Sequence, residues 1–255
     1  MLILVSNDDG FFTDGIKTLA NALRRLGEVW AVAPDREQSA AGHSLTLHRP
    51  IRAKVIKRDE HLYAIDGTPT DCVNLAINRL LPRKPDIVIS GINRGANLGD
   101  DVTYSGTVAA ALEAALLGVP AIAVSAIPTM DSEEYFYEAA ADFSAFLAEK
   151  VNQFHLDHGM ILNVNVPSEA KVGEHRCVVC KMGKRLYDDV LEERMDPRGR
   201  PYYWEGGASV RSQLDPDTDC EAASQKKISV TPIQLDMTHY DFLRKMKSWE
   251  LPNYA

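Results

Sequence analysis

Along the first two-thirds of the chain, short unbroken apolar runs alternate with amphipathic stretches. Residues 2–6 are continuously apolar until Ser6, as a strand buried on both faces requires. Residues 16–26 place Ile16, Leu19, Ala20, Leu23 and Leu26 on one helical face, with Gly27 as the stop. A second strand is predicted over 29–33, ended by Pro34, and a short strand pair over 51–56 and 62–65. Thr68-Pro69-Thr70-Asp71 offers a cap, a proline at the first helical position and an acid in the first turn, predicting a helix to about Leu80. Strands over 86–90, 121–125 and 160–166 then alternate with helices over 102–117 and 131–152. This rhythm predicts an α/β fold, a parallel, doubly wound sheet flanked by helices. Such sheets take ligands beyond the carboxyl ends of their strands. The rule selects three loops: 7–14, 34–48 and 91–104.

The pattern changes after about Lys181. Residues 182–227 are rich in charges, glycines and prolines, and Tyr202, Tyr203 and Trp204 follow one another. Two readings fit: a polar β-hairpin arm whose aromatic patch packs on another subunit, or a plain surface insertion. A strand over 228–231 and a short amphipathic helix over 240–249 close the chain.

Composition narrows the class without changing this picture. The 255 residues are 45% hydrophobic and 25% charged, which excludes disorder and a disulfide-stapled miniature fold. Lys and Arg total 28 against 36 Asp and Glu, a net charge of −8. That balance speaks against binding to nucleic acid or an anionic membrane, though not against one small anion held locally. The N-terminus lacks a basic region and its apolar run stops at Asp8 and Asp9, so no signal peptide is expected. Gly106 to Ile127 is broken by Glu113, Gly118 and Pro120, which argues for helix, turn and strand rather than a membrane span. Cys177 and Cys180 form a lone C-x-x-C in a β-branched stretch, read with Cys72 and Cys220 as structural thiols of a reducing cytoplasm.

Chemistry concentrates in the three loops. In Asn7-Asp8-Asp9-Gly10 two adjacent carboxylates repel each other and lose hydration, which a hard divalent cation relieves; a solvated Asx turn is the plainer alternative. The segment Ser90-Gly91-Ile92-Asn93-Arg94-Gly95-Ala96-Asn97 supplies amide oxygens and donors on a flexible backbone, or is simply a turn-rich loop. Tyr104-Ser105-Gly106-Thr107 opens an alanine-rich helix, either as an anion site or as an ordinary cap. In 34–44, Ser39 is a ligand or a donor, and Arg36 and His43 could face an anion. The donors are all oxygen, which favours Mg²⁺, Mn²⁺ or Ca²⁺ over a thiolate zinc site. A hard metal beside an anion pocket suggests metal-assisted phosphate ester hydrolysis. A dinucleotide enzyme would want G-x-G-x-x-G after the first strand, where this chain has Asn-Asp-Asp-Gly. A non-catalytic nucleotide- or phosphate-binding module remains the alternative from another class.

Five motifs occur in order: Asn7-Asp8-Asp9-Gly10; 41–46 (Ala-Gly-His-Ser-Leu-Thr); 66–73 (Asp-Gly-Thr-Pro-Thr-Asp-Cys-Val); Ser90-Gly91-Ile92-Asn93 with Gly95 and Asn97; and 104–111 (Tyr-Ser-Gly-Thr-Val-Ala-Ala-Ala). With 229–238 near the end, they make the chain resemble SurE, the stationary-phase survival family of 5′-nucleotidases. The resemblance implies a single α/β domain over 1–255 with a Rossmann-like, mostly parallel sheet. Its core would span about 1–181 and 228–238, with an oligomerisation arm at 182–227 and a terminal helix at 239–250. It implies a divalent-metal-dependent phosphatase for nucleoside 5′-monophosphates, with 3′-nucleotides and short polyphosphate as further substrates. It also implies a homodimer or homotetramer that exchanges the arm. Carried over by position, one Mg²⁺ or Mn²⁺ per subunit would be held by Asp8, Asp9, Ser39 and Asn93. Asn97, Ser105, Gly106 and Thr107 would line the phosphate site. Asp8, Asp9 and Asn97 would serve catalysis, with His43 a candidate general acid whose alternative is a buried, hydrogen-bonded histidine.

Overall fold

The computed structural model describes residues 1–129, 134–173, 175–187, 191–205, 210–249 and 251. Its first strand, β1 (Leu2–Ser6), is buried along its whole length and lies in the middle of a nine-stranded sheet. The chain leaves β1 through helix α1 (Asp14–Leu23) into β2 (Glu28–Pro34), then through β3 (Ala53–Lys57) into β4 (Leu62–Ile65). Helix α2 (Pro69–Leu75) carries it back to β5 (Ile87–Arg94) on the other side of β1. Helix α3 (Gly106–Leu116), β6 (Ala121–Ile127), α4 (Glu138–Phe154) and β7 (Met160–Pro167) continue outward. The order is β3-β4-β2-β1-β5-β6-β7, then β13 (Ile228–Gln234) and β8 (Cys177–Val179). Pairings from β4 through β7 are parallel, whereas β3 with β4 and β13 with β7 are antiparallel. The expected α/β fold, mostly parallel and helix-flanked, is the one observed.

Strand alternation explains the two faces. Ile3 and Val5 of β1 join Ile16, Leu19 and Leu23 of α1 and Phe143 of α4 in one core. Leu2 and Leu4 point the other way, into a core with Val73 of α2 and Val108 and Ala111 of α3. Thr68 caps α2 as its sequence predicts: its side chain accepts from Asp71 N, and Asp71 Oδ2 accepts from Thr68 N at 2.9 Å. The expected continuation to Leu80 is a π-helical turn over Ala76–Leu80.

Other boundaries move for local reasons. The helix expected from 102 begins at Gly106, because Ser105 caps it and Gly99–Thr103 forms a separate 3₁₀ turn. The strand expected to end at Ser90 runs on to Arg94, with a register irregularity against β6 between Ser90 and Asn93. The helix expected from 131 begins at Glu138; residues 131–133 lie outside the described residues.

In the polar segment, β9 (Lys184–Tyr187) pairs with β12 (Val210–Gln213), and β10 (Leu191–Met195) with β11 (Pro201–Glu205), both antiparallel and apart from the main sheet. The chain has rejoined the core by α5 (Asp219–Ser224), where Cys220 and Ala222 are buried, ahead of the expected boundary at 227. Helix α6 (Tyr240–Met246) follows, with no buried residue. Among the described residues no helix is long and apolar enough to cross a membrane.

Candidate active site

Strand order turns back between β1 and β5, so the loops beyond these strands flank a crevice. Several hydrogen bonds shape it. Asn7 Nδ2 donates to Gly10 O and Thr13 Oγ1, closing the turn that holds Asp8 and Asp9. Gly10 sits at φ +101°, and a Cβ there would stand 3.0 Å from Arg36 C. Its absence lets the loop after β2 lie against this turn, with Gln38 N donating to Asp8 O at 2.8 Å. The result is an open cleft of about 290 Å³. Asp8, Asp9, Ser39, Asn93, Asn97 and Ser105 all line it, so six residues expected from sequence meet in one place.

Asp8 is 5% exposed, and burial pushes its carboxyl above the ordinary carboxylate range. Hydrogen bonding from Thr107 works against that shift. Asp9 is pushed up to about 6, first by burial; the Arg94 N–H, donated to Asp9 Oδ2 at 2.9 Å, opposes this, and repulsion from Asp8 and Glu37 adds to it. Ser39 Oγ donates to Glu37 Oε1 at 2.6 Å. Asn93 Nδ2 donates to Gly95 O at 2.8 Å, a bond that leaves its Oδ1 available. Asn97 is clamped: its N–H donates to Asn165 Oδ1, its Nδ2 to Ser125 Oγ, and its carbonyl accepts from Asn163 and Asn165. One Nδ2 hydrogen is left for a ligand.

Two expectations are corrected in part. The start of α3 is an anion site, but the anion it receives is Asp8. Thr107 Oγ1 donates to Asp8 Oδ1, and the Gly106 and Thr107 backbones also stabilise that carboxylate. A Cβ on Gly106 would stand 2.7 Å from Asp8 Cβ, so only glycine admits this approach. Gly106 and Thr107 therefore hold Asp8 rather than lining the cleft; Ser105 alone of that turn faces it, while its Oγ accepts from Val108 N. His43 does not line the cleft either. Its Nε2 lies 2.9 Å from Glu113 Oε2, and Glu113 Oε1 accepts from Asn74 Nδ2. This pairing on α3 holds the Glu113 carboxyl below its ordinary range, the His43 hydrogen bond being the largest cause.

The geometry can be set beside known proteins. The family model described as "Survival protein SurE" matches residues 3–189. The chain belongs to the SurE family. It is 50% identical over 251 residues to a protein of Geotalea daltonii named "5′-nucleotidase SurE", covering 98% of this chain and all of that one. A protein of Syntrophotalea carbinolica with the same name is 51% identical, with 98% of each chain covered. Among solved structures, the SurE protein from Aquifex aeolicus superposes with a TM-score of 0.83 at 39% identity, over 98% of this chain and 100% of that one.

The SurE cleft has a donor set suited to a hard cation. Two adjacent carboxylates, one buried and one half-buried, whose ionised forms are disfavoured are what a divalent ion relieves, and an amide oxygen and a hydroxyl complete an all-oxygen set. Among the described residues no group of three or more His, Cys, Asp or Glu gathers in metal-binding fashion. Seven lining residues were not singled out as site residues from sequence: Glu37, Ala40, Arg94, Ala96, Asp101, Tyr104 and Tyr187. Tyr187 comes from β9, and its hydroxyl donates to Asp101, which also accepts from Arg185 Nε at 2.9 Å. Asp219 fixes the same region, accepting from the Gly99, Gly183 and Cys220 amides. Apart from the Cys220 amide beside Asp219, these contacts join positions tens of residues apart, so nothing local in sequence marks them.

Proposed function

We propose that this chain is a divalent-metal-dependent 5′-nucleotidase that hydrolyses nucleoside 5′-monophosphates to nucleoside and phosphate. The observation that carries the reading is the pair of buried Asp8 and half-buried Asp9 in a cleft at the switch point of the sheet. The near-full-length similarity to proteins named 5′-nucleotidase SurE supports the choice of substrate. One Mg²⁺ or Mn²⁺ held by Asp8, Asp9, Ser39 and Asn93 would supply Lewis acidity toward a phosphoryl oxygen. Thr107 and the start of α3 aim Asp8 and oppose the upward push that burial gives its carboxyl. The Ser105 hydroxyl and the remaining Asn97 Nδ2 hydrogen face the other phosphoryl oxygens as charge spreads over them. Asp9, with Oδ2 held by the Arg94 N–H, keeps Oδ1 to orient the attacking water. Water oxygen bonds to phosphorus as the bond to the ribose 5′ oxygen breaks, and the proton the water gives up is balanced by the one that oxygen takes, leaving nucleoside and phosphate.

The reading extends to 3′-nucleotides and short polyphosphate, because the groups described grip phosphoryl oxygens rather than a sugar. It extends also to a homodimer or homotetramer joined through the segment 182–227, whose strands leave Leu191, Met195, Tyr203 and Trp204 exposed. The free thiols suit a reducing cytoplasm. The test is phosphate release from AMP, GMP, CMP, UMP and an aryl phosphate. Preference for nucleotides supports the reading, and release from the aryl phosphate alone removes the nucleotide. Nucleotide binding without release would make the chain a silent binding module.

A further inference from the structure

Among the described residues the cleft sets four carboxylates, Asp8, Asp9, Glu37 and Asp101, against a single lining cation, Arg94. Asp101 is already paired with Arg185. Arg94 forms no ion pair with a described carboxylate; its guanidinium lies over the Tyr135 ring, 5.2 Å from the centroid. Its backbone is fixed as well, since β5 runs on to Arg94 and the Arg94 N–H donates to Asp9 Oδ2. The side chain is exposed and starts beside the two central carboxylates, yet its donors are uncommitted.

Charge counting indicates what it awaits. A divalent cation offsets Asp8 and Asp9, and Arg185 offsets Asp101. Glu37 is left, and a phosphate monoester dianion entering the cleft has Arg94 as its one lining side-chain cation among the described residues. A guanidinium presents parallel N–H groups that match two phosphoryl oxygens. We propose that Arg94 binds the phosphoryl group of the substrate and of the product phosphate, and so makes this acidic cleft accept a dianion. The inference rests on the nucleotidase reading and assigns a substrate contact to a residue that was not among the site residues expected from sequence.

The test compares wild type, Arg94→Met and Arg94→Lys, all saturated with Mn²⁺. It measures KM and kcat for AMP and, separately, the calorimetric Kd for inorganic phosphate. Charge-assisted hydrogen bonds of this kind correspond to roughly a tenfold to hundredfold effect. Arg94→Met should raise KM for AMP and Kd for phosphate together by that factor, and Arg94→Lys should restore part of both. Mn²⁺ affinity should hold at the wild-type value, because the bond to Asp9 comes from the backbone and survives the substitution. Unchanged KM and Kd in Arg94→Met would overturn the inference, as would a loss confined to Mn²⁺ affinity. If wild type binds phosphate through Arg94 but hydrolyses no nucleotide, the nucleotidase reading fails and the anion site stands. If wild type neither hydrolyses nor binds phosphate, both fail.

Discussion

Replacing Gly106 with alanine probes how closely Asp8 is fitted to the start of α3. The added Cβ would stand 2.7 Å from Asp8 Cβ, 2.9 Å from Asp8 Oδ2 and 3.1 Å from Pro69 Cγ. None of these is the far end of a flexible chain, so either α3 or the turn after β1 must shift. Overpacking a filled site costs about 1–3 kcal/mol. Each kcal/mol lowers Tm by roughly 2–4 °C in a domain of about this size. A melt followed by circular dichroism should therefore fall by at least a few degrees. Activity should suffer more than stability: displacing a reacting group by about 1 Å can cost on the order of a hundredfold. The assay is Mn²⁺-supported phosphate release from AMP at a temperature where the variant is shown to be folded. A Gly106→Ala protein that melts like wild type and turns over AMP at the wild-type rate would refute this placement of Asp8.

Other consequences can be measured independently. Asp219→Ala leaves the Gly99, Gly183 and Cys220 amides without their acceptor, at about 1–3 kcal/mol for each buried donor, so urea unfolding should show a loss of roughly 3 kcal/mol or more. Asp86 is held down to about 2, chiefly by the Arg83 hydrogen bond, and also accepts from Leu2 N at the start of β1. A depressed carboxyl stabilises the fold above its ordinary pKa, and the contribution fades as pH falls from about 4 toward 2. Nearly two pKa units would be about 2.5 kcal/mol, which screening of this partly exposed side chain reduces to about 1. Asp86→Asn should thus be less stable than wild type at pH 6, with the gap narrowing at pH 3; a constant gap would contradict the assignment. Asp9 titrates near 6 and must be ionised to serve as a ligand, so Mn²⁺ affinity measured by calorimetry should weaken as pH drops below about 6.

The sheet was readable because its strands are short apolar runs separated by capped helices. The fall from Val5 to Asn7-Asp8-Asp9 marked the end of a buried strand, and the topology rule then made that turn a ligand site. Ser39, Asn93 and Asn97 fell in the two other loops that the same rule selects, and the cleft unites them. Partnerships across long sequence distances were not readable. The start of α3 looked like a phosphate cradle, but Asp8, 99 positions away, fills it. His43 was a candidate general acid with a hydrogen-bonded histidine as the alternative, and its ring nitrogen pairs with Glu113, 70 positions away. Periodicity and caps are local signals, whereas both pairings depend on how α3 packs beside β1 and the loop after β2.

We infer that Asp8 and Asp9 form a metal-dependent phosphoryl-transfer site. The most direct test is AMP hydrolysis by chelator-stripped wild type, Asp8→Asn and Asp9→Asn, each shown to be folded, with and without added Mn²⁺ or Mg²⁺. Stripped wild type should be inactive and recover with metal, and neither variant should recover more than a small fraction of that rate. A folded Asp8→Asn protein with wild-type turnover, or stripped wild type fully active without metal, would contradict it.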